Sequence, residues 1–365
     1  MSRPPSAGLI IPLRASLKGR VRWRVLDERG IPEVPRAPSG VAVAGVAGVE
    51  QPNLITDLGL ERIADLNVFA VAPGAPATWR RRLAAGTGST APNAADTTLD
   101  NEVERAATSG TFSDGSTTYE LDTTDNVWRA ESLVTRLVTM TATRNVTEYG
   151  LANAATDDIL IRELLRDGGG TPITVSIPEG KSLRVDHTLT VEIPAPAAGN
   201  SVSLNVEQYD ISDTLVSTTS YDVTHGGHIQ EAATEPLELG VFWAWNPSSA
   251  VPTALGVRVF PASVAYARVA AFGTSDRYPS SDVSLATTFR VPYVPGSRER
   301  TLRGTVPVGS ANFAWYGYYI GWHSPTGTAG RINSGWMVRF DNPSTLTKVD
   351  TDTLRVGFVS SWDRA

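Results

Sequence analysis

The feature that most constrains this chain is the strict alternation between Ser182 and Ile193. Leu183, Val185, Leu189, Val191 and Ile193 fall on one face of an extended segment, and Ser182, Arg184, Asp186, Thr188, Thr190 and Glu192 fall on the other. A period of two belongs to a β-strand with one face dry and the other wet. The pattern returns at Val202, Leu204 and Val206, at Trp336, Val338 and Phe340, and at Leu354, Val356, Phe358 and Trp362. Threonine is frequent in these runs, and its branched β-carbon suits a pleated surface. Turn residues punctuate them densely, as in Gly168-Gly169-Gly170, Pro178-Glu179-Gly180, Gly226-Gly227, Pro295-Gly296 and Asn342-Pro343. Many short strands with frequent turns predict a mainly β fold of sandwich-like domains.

One or two short helices are expected near the N-terminus. The better one runs from Asp57 to about Asn67, with Thr56 as its cap and Leu60, Ile63, Ala64 and Asn67 at helical spacing, although Gly59 interrupts it. Leu99 to Ala106 offers a second short turn of helix. Ile159 to Leu165 fits helix or strand equally.

At 365 residues the chain exceeds what one compact core usually holds. The division expected is an N-terminal arm with strands over residues 1–52, offering assembly contacts, a β-rich domain over 53–196 and a second over 197–365. Pro32 to Gly40 and Pro194 to Gly199 are the linker candidates. A weak repeat crosses the second linker. Arg136, Asn145 and Tyr149-Gly150 have the spacing of Arg303, Asn312 and Tyr316-Gly317, and Ser182-Leu183-Arg184-Val185 resembles Thr353-Leu354-Arg355-Val356. Duplication and chance similarity among Thr-rich strands both account for it.

Hydrophobic residues make up 41% and charged residues 19%, a globular balance. The net charge of −6 argues against a nucleic-acid partner, which needs clustered Lys and Arg. Two local exceptions are Arg14 to Arg29, containing Lys18, Arg20, Arg22 and Arg24, and Arg80-Arg81-Arg82. Arg20, Arg22 and Arg24 alternate with apolar residues, so they form either a solvated strand face or a contact for an acidic partner. No apolar run reaches the length of a signal peptide core or a membrane helix near the start, since Leu9-Ile10-Ile11 breaks at Pro12. The expectation is a soluble chain with no export signal and no membrane insertion.

Cysteine is absent, which removes disulfides, thiol catalysis and Cys-based zinc sites. His225-Gly226-Gly227-His228 is the only close His pair, with Asp222 as a third candidate ligand. Two glycines between the histidines favour an exposed turn over a chelating site, which needs three or four ligands. No metal or cofactor is expected. His187 lies on the apolar face of its strand and reads as a buried, satisfied histidine; His323 reads as a loop residue. Gly86-Thr87-Gly88 lacks the lysine of a phosphate loop and reads as a turn in which glycine supplies positive φ. Glu102 and Glu104, Glu163 and Asp167, and Asp350 and Asp352 read as surface charge rather than a glycosidase pair. No Gly-x-Ser-x-Gly elbow occurs. No catalytic residue is named, and the chain is not expected to be an enzyme.

Aromatic residues cluster twice, at Phe242-Trp243-Ala244-Trp245 and between Phe313 and Trp322. In an alternating strand, Trp315 and Tyr319 cannot share a face with Tyr316 and Tyr318. They read as core, as a subunit interface or as a sugar platform. Trp243, Trp245, Trp315, Tyr316, Tyr318, Tyr319, Trp322 and Trp362 are therefore the interface candidates, and Arg20, Arg22 and Arg24 the basic contacts.

Four segments, in order, resemble those of phage virion structural proteins of the tail and tail-fibre type. Asn53-Leu54-Ile55-Thr56-Asp57-Leu58-Gly59-Leu60 resembles their opening helix. Gly86-Thr87-Gly88-Ser89-Thr90-Ala91-Pro92 and Asp96-Thr97-Thr98-Leu99 resemble the segment that follows it. Asn145-Val146-Thr147-Glu148-Tyr149-Gly150-Leu151 is similar to a strand and turn, and Gly180-Lys181-Ser182-Leu183-Arg184-Val185 to a closing strand. The resemblance covers about residues 50–195, and the ending Phe358 to Trp362 adds to it. It implies a virion component made in the host cytoplasm, a homo-oligomer whose partners are copies of itself and other virion proteins. The alternatives are a receptor-binding module that grips a host surface glycan, or a capsid decoration or collar protein. Thr108 to Trp128, rich in Ser, Thr, Asp and Gly, reads as an exposed hairpin or loop.

Overall fold

The computed structural model describes residues 9–43, 49–63, 78–106, 112–122, 124–125, 127–154, 158–194, 201–210, 212, 214–229, 255–261, 287–290, 293–306, 309, 312–323, 332–351 and 353–365. They form a mainly β protein of curled, almost wholly antiparallel sheets. The spine is β1 (Leu9–Leu26). One of its edges, Ser16 to Leu26, pairs with β12 (Ser182–Pro194), which pairs with β7 (Val127–Thr139), which pairs with β6 (Phe112–Asp122). The other edge is shared by three partners. Leu9 to Leu17 run parallel to β21 (Leu354–Arg364), Gly19 to Val21 run antiparallel to β3 (Gln51–Ile55), and Val25 and Leu26 meet β2 (Pro32–Glu33).

From β3 the sheet continues through β10 (Ile159–Leu164), β9 (Glu148–Ala152) and β4 (Arg82–Gly86) to β5 (Glu102–Arg105). This wing folds back over the β6–β7–β12 wing. Arg80, just before β4, donates to the Ser132 carbonyl of β7 at 3.1 Å, and the Trp23 indole of β1 donates to the Arg166 carbonyl at 3.2 Å. Between the wings lies the core, with Trp23, Trp79, Leu83, Tyr149, Leu151, Leu183, Val185 and Leu189 all buried. A ribbon of β8 (Arg144–Val146) and β11 (Val175–Ile177) adds Val146, Val175 and Ile177 to it.

The C-terminal half repeats these pairings. β13 (Ser201–Tyr209), β14 (Leu215–Ile229), β19 (Ile332–Asn342), β18 (Ala314–His323) and β15 (Leu255–Pro261) form a second sheet in that order, with β20 (Leu346–Thr347) beside β18. The succession β14–β19–β18–β15 mirrors β3–β10–β9–β4. The succession β16 (Thr287–Arg290), β17 (Glu299–Val306), β21 mirrors β6–β7–β12. Gly150 faces Arg162 across β9 and β10, and Gly317 faces Arg339 across β18 and β19. The weak sequence similarity between the halves thus runs along matching topology.

Several expectations change. Residues 9–26 are not an arm at the edge of the first half, because β1 lies inside the large sheet and pairs with strands of both halves. The boundary near 196 separates β13, β14, β15, β18, β19 and β20 from the large sheet, but β16, β17 and β21 return to it; residues 195–200 lie outside the described ones. Leu99 to Ala106 holds β5 rather than a helical turn. Ile159 to Leu165 resolves as strand β10, whose six residues are all buried, so no alternation marks it. Residues 112–139 form the β6–β7 hairpin, as its composition suggested.

The helix is α1 (Asp57–Arg62), capped by Thr56, whose hydroxyl accepts from the Gly59 amide at 2.9 Å. Gly59 costs helix propensity but is needed there, since a β-carbon would strike the Leu160 carbonyl. The C-terminal strand docks on this helix. The Trp362 indole donates to the Leu60 carbonyl at 2.7 Å and stacks on Tyr293 at 6.1 Å, leaving Trp362 only 3% exposed. Arg298 and Arg364 both hold Asp57, so the last strand of the chain is tied to the first helix.

Candidate interaction surface

Two of the four resemblance segments meet at one buried carboxylate, and a third is tied to the same loop. Glu148, at the start of β9, is fully buried and accepts from the Gly88 amide at 2.9 Å, the Asn101 amide at 3.1 Å and the Asp100 amide at 3.3 Å. Its counter-ion is Arg162 of β10, 1% exposed, whose Nε donates to it at 3.0 Å. Arg162 also reaches Asp96 at 2.5 Å, Asp100 at 2.9 Å and the Thr90 carbonyl at 3.3 Å. Burial weakens the guanidinium's hold on its proton, but the bonds to Asp96 and Glu148 outweigh this and raise its pKa. The Asp57 amide of the opening helix donates to the Ala94 carbonyl at 2.7 Å, which ties the first segment to the same loop. The fourth segment lies apart, at the start of β12. Gly88 is not in the positive-φ region, contrary to the turn reading; a β-carbon there would run into Asp100 and Glu148. The arrangement is a clamp for residues 87–101. Its charges are spent on one another and on backbone amides.

A second polar group lies inside the core. Arg80, Arg136 and His187 are all buried. Arg80 stands 2.8 Å from His187 Nδ1, and a guanidinium only donates, so Nδ1 accepts and the ring proton sits on Nε2. Asn53 Nδ2 stands 3.2 Å from Nε2; two donors cannot bond each other, so with the ring proton on Nε2 the amide is assigned with its oxygen turned toward the ring. Burial, and then the charges of Arg80 and Arg136, push the His187 pKa well below its ordinary value. The expectation of a buried His187 with its ring nitrogens partnered agrees with this geometry. Of the triplet read as a basic exception, Arg80 is therefore internal, and Arg82 donates to the Ala106 carbonyl at 2.7 Å.

A row of solvent-facing charges lies on the outer face of β1, β12 and β7. Alternation points Arg14, Lys18, Arg20, Arg22 and Arg24 outward, while Ala15, Leu17, Val21, Trp23 and Val25 enter the core. Register sets Arg24 beside Arg184 and Arg22 beside Asp186 across β12. Four guanidiniums, Arg20, Arg22, Arg24 and Arg184, share two carboxylates. Glu50 lies 2.7 Å from Arg22 and 3.7 Å from Arg20; Asp186 lies 2.8 Å from Arg184 and 3.7 Å from Arg24. Together with Thr188 and Leu133, which is 42% exposed, they line an open cleft of about 240 Å³. Two positive charges remain in excess here, on a chain whose total is −6. Such a row of half-exposed guanidiniums is suited to carboxylates, which each planar fork binds through two hydrogen bonds.

Comparison with protein-family models, with curated proteins and with solved structures finds no match.

The aromatic candidates separate. Trp315 and Tyr318 are fully buried and Trp362 nearly so, which removes these three from any surface. Trp315 and Tyr318 reach the same core because β18 carries a bulge: Phe260 and Pro261 of β15 pair with Gly317 and Trp315, skipping Tyr316. One extra residue resets the alternation, which strand periodicity alone does not reveal. Tyr316 is half-buried, Tyr319 and Trp322 occupy β18, and Trp243 and Trp245 lie outside the described residues. The His225 to His228 segment is not a turn but the continuous end of β14, paired with Val338 to Gly335 of β19. Asp222 bonds Ser203 at 2.6 Å. Among the described residues no group of three or more His, Asp or Glu is placed to hold a metal ion, and no helix is long and apolar enough to cross a membrane.

Proposed function

We propose that this chain is a structural subunit of a phage-type virion, part of the tail or a tail appendage, which assembles through its outer β-faces with copies of itself and with other virion proteins. In this reading it performs no chemistry. The supporting observation is the convergence on Glu148. Two of the segments that resemble virion proteins meet at a buried clamp whose groups bond one another, and a third is tied to its loop. Motifs of that kind specify a scaffold, whereas catalytic motifs present their groups to a substrate. The open basic face on β1 and β12 supplies a contact surface of the sort an assembling subunit needs.

Quantitative mass spectrometry of purified particles, with antibody labelling under the electron microscope, tests the proposal. The chain should be present in a fixed multiple of the particle's symmetry and at the tail. Labelling at the capsid or collar would move the assignment, and a chain confined to the soluble lysate of infected cells would overturn it.

A further inference from the structure

We infer that the cleft of Arg20, Arg22, Arg24 and Arg184 receives the Val349–Asp350 loop of a second copy of this chain, in a head-to-tail contact. The inference rests on the reading of the chain as an assembling subunit and gives that assembly a definite contact.

Both halves of the contact are on one chain. The cleft offers four guanidiniums against two carboxylates, with exposed Leu133 on its wall. The loop between β20 and β21 offers the opposite: Val349 is 48% exposed, Asp350 and Thr351 are exposed, and the sequence adds a second carboxylate at Asp352. Asp350 has no hydrogen bond or ion pair among the described residues. The loop is held from beneath. Lys348, 1% exposed, points inward and donates to Asn312 Oδ1 at 2.7 Å and to the Val349 carbonyl at 3.2 Å, so the acidic tip is presented with little ordering left to do.

The sheet register shows why the two patches do not meet within one chain. β21 runs parallel to β1 with Val356 beside Leu9, so the loop that precedes β21 lies beyond the Leu9 end of β1. Thirteen residues separate Leu9 from Arg22, about 43 Å along a strand at ~3.3 Å per residue. The acidic tip and the basic cleft thus sit at opposite ends of one long axis. Complementary patches at opposite ends make a heterologous contact, which closes into a ring when the rotation between copies closes and extends otherwise. Carboxylates on the cleft's guanidiniums, with Val349 against Leu133, complete both the charge and the apolar part.

Mixing complementary variants is the test. Arg22→Glu/Arg24→Glu spoils the cleft and keeps the tip, while Asp350→Arg spoils the tip and keeps the cleft. Sedimentation velocity should show wild type associating at low salt, each variant alone as monomer, and the equimolar mixture associating again, because the two intact patches meet and the two charge-reversed patches also complement each other. Carrying all three substitutions in one chain should restore growth. Matching melts and circular dichroism establish folding, and the milder pair Arg22→Gln and Asp350→Asn, expected to weaken association at least tenfold, serves if a reversal variant is misfolded. Variants that associate like wild type, a mixture that stays monomeric, or a wild-type chain that never associates would each overturn the inference. The first two outcomes overturn this contact and leave the functional proposal standing; a wild-type chain that never associates removes self-assembly from both, while particle labelling reads the virion assignment separately.

Discussion

The β9–β10 pair of the N-terminal half and the β18–β19 pair of the C-terminal half are built on one plan and filled differently. In both, a glycine faces an arginine across the ladder, Gly150 with Arg162 and Gly317 with Arg339. Arg162 is sealed in with Glu148 and closes a loop far away in sequence. Arg339, with a side chain 18% exposed, pairs with Asp341 two residues along its own strand and with Thr224. Topology therefore survives a change in what the arginine does. Among the described residues, the loop held over the pair is seen in the first half, where the chemistry of the resemblance segments lies.

The largest effects should come where this difference, or the join between the halves, is removed. Trp362→Ala deletes the contact of the last strand with α1 and should cost about 3–5 kcal/mol. Because β1 and β21 are shared, urea denaturation should still show one transition, moved to lower denaturant; two separated transitions would mean that the halves are independent domains. Arg162→Met leaves Glu148 as a buried, uncompensated charge and should cost about 3–5 kcal/mol. Arg339→Met should cost less, about 1–2 kcal/mol, since its pair with Asp341 is still reached by solvent. Equal losses at the two arginines would break the comparison.

Gly150→Ala and Gly317→Ala should then each cost about 1–3 kcal/mol by overpacking. A β-carbon at 150 would press on Ile159, a side chain that can shift, and one at 317 on the Val338 carbonyl, which cannot. The second substitution should therefore be the worse of the two in thermal melts.

A smaller effect should appear with pH, and it belongs to the first half. The folded chain keeps His187 neutral well below its usual value, while the unfolded chain takes up a proton near pH 6.5. Below that pH the unfolded state binds more protons, so the stabilisation is complete above about pH 6.5 and is lost as pH falls. Tm should drop between about pH 7.5 and about pH 5.5, and His187→Gln should flatten that slope. The carboxylates whose pKa is held down, Asp27, Asp57, Asp100, Asp122 and Glu192, act below about pH 5 and leave this window clear. A wild-type Tm that is level across the window would contradict the neutral buried histidine.

How far the sequence reaches follows from the same elements. β12, β19 and β21 were legible because one face of each is wet, and so was the Thr56 cap. β10 was not, since Ile159 to Leu164 are buried on both faces and carry no period. The role of β1 was hidden for another reason: its partners stand near residues 51, 190 and 360, and strand pairing at such distances leaves no local mark. The clamp was visible as motifs but not as a clamp, because Arg162 finds Asp96, Asp100 and Glu148 only after folding. Arg20, Arg22 and Arg24 were placed on one face by simple alternation, and the fold adds what periodicity lacks, namely Arg184, Glu50, Asp186 and Leu133 around them.

Assembly through the outer β-faces, as proposed, makes the mass of the wild-type species depend on concentration and salt. Native mass spectrometry and light scattering should show multiples of the 38.9 kDa chain growing with concentration at low salt. They should shrink toward one copy near 1 M salt, where the Debye length falls to about 3 Å. A constant mass of one chain at every concentration and salt would contradict it.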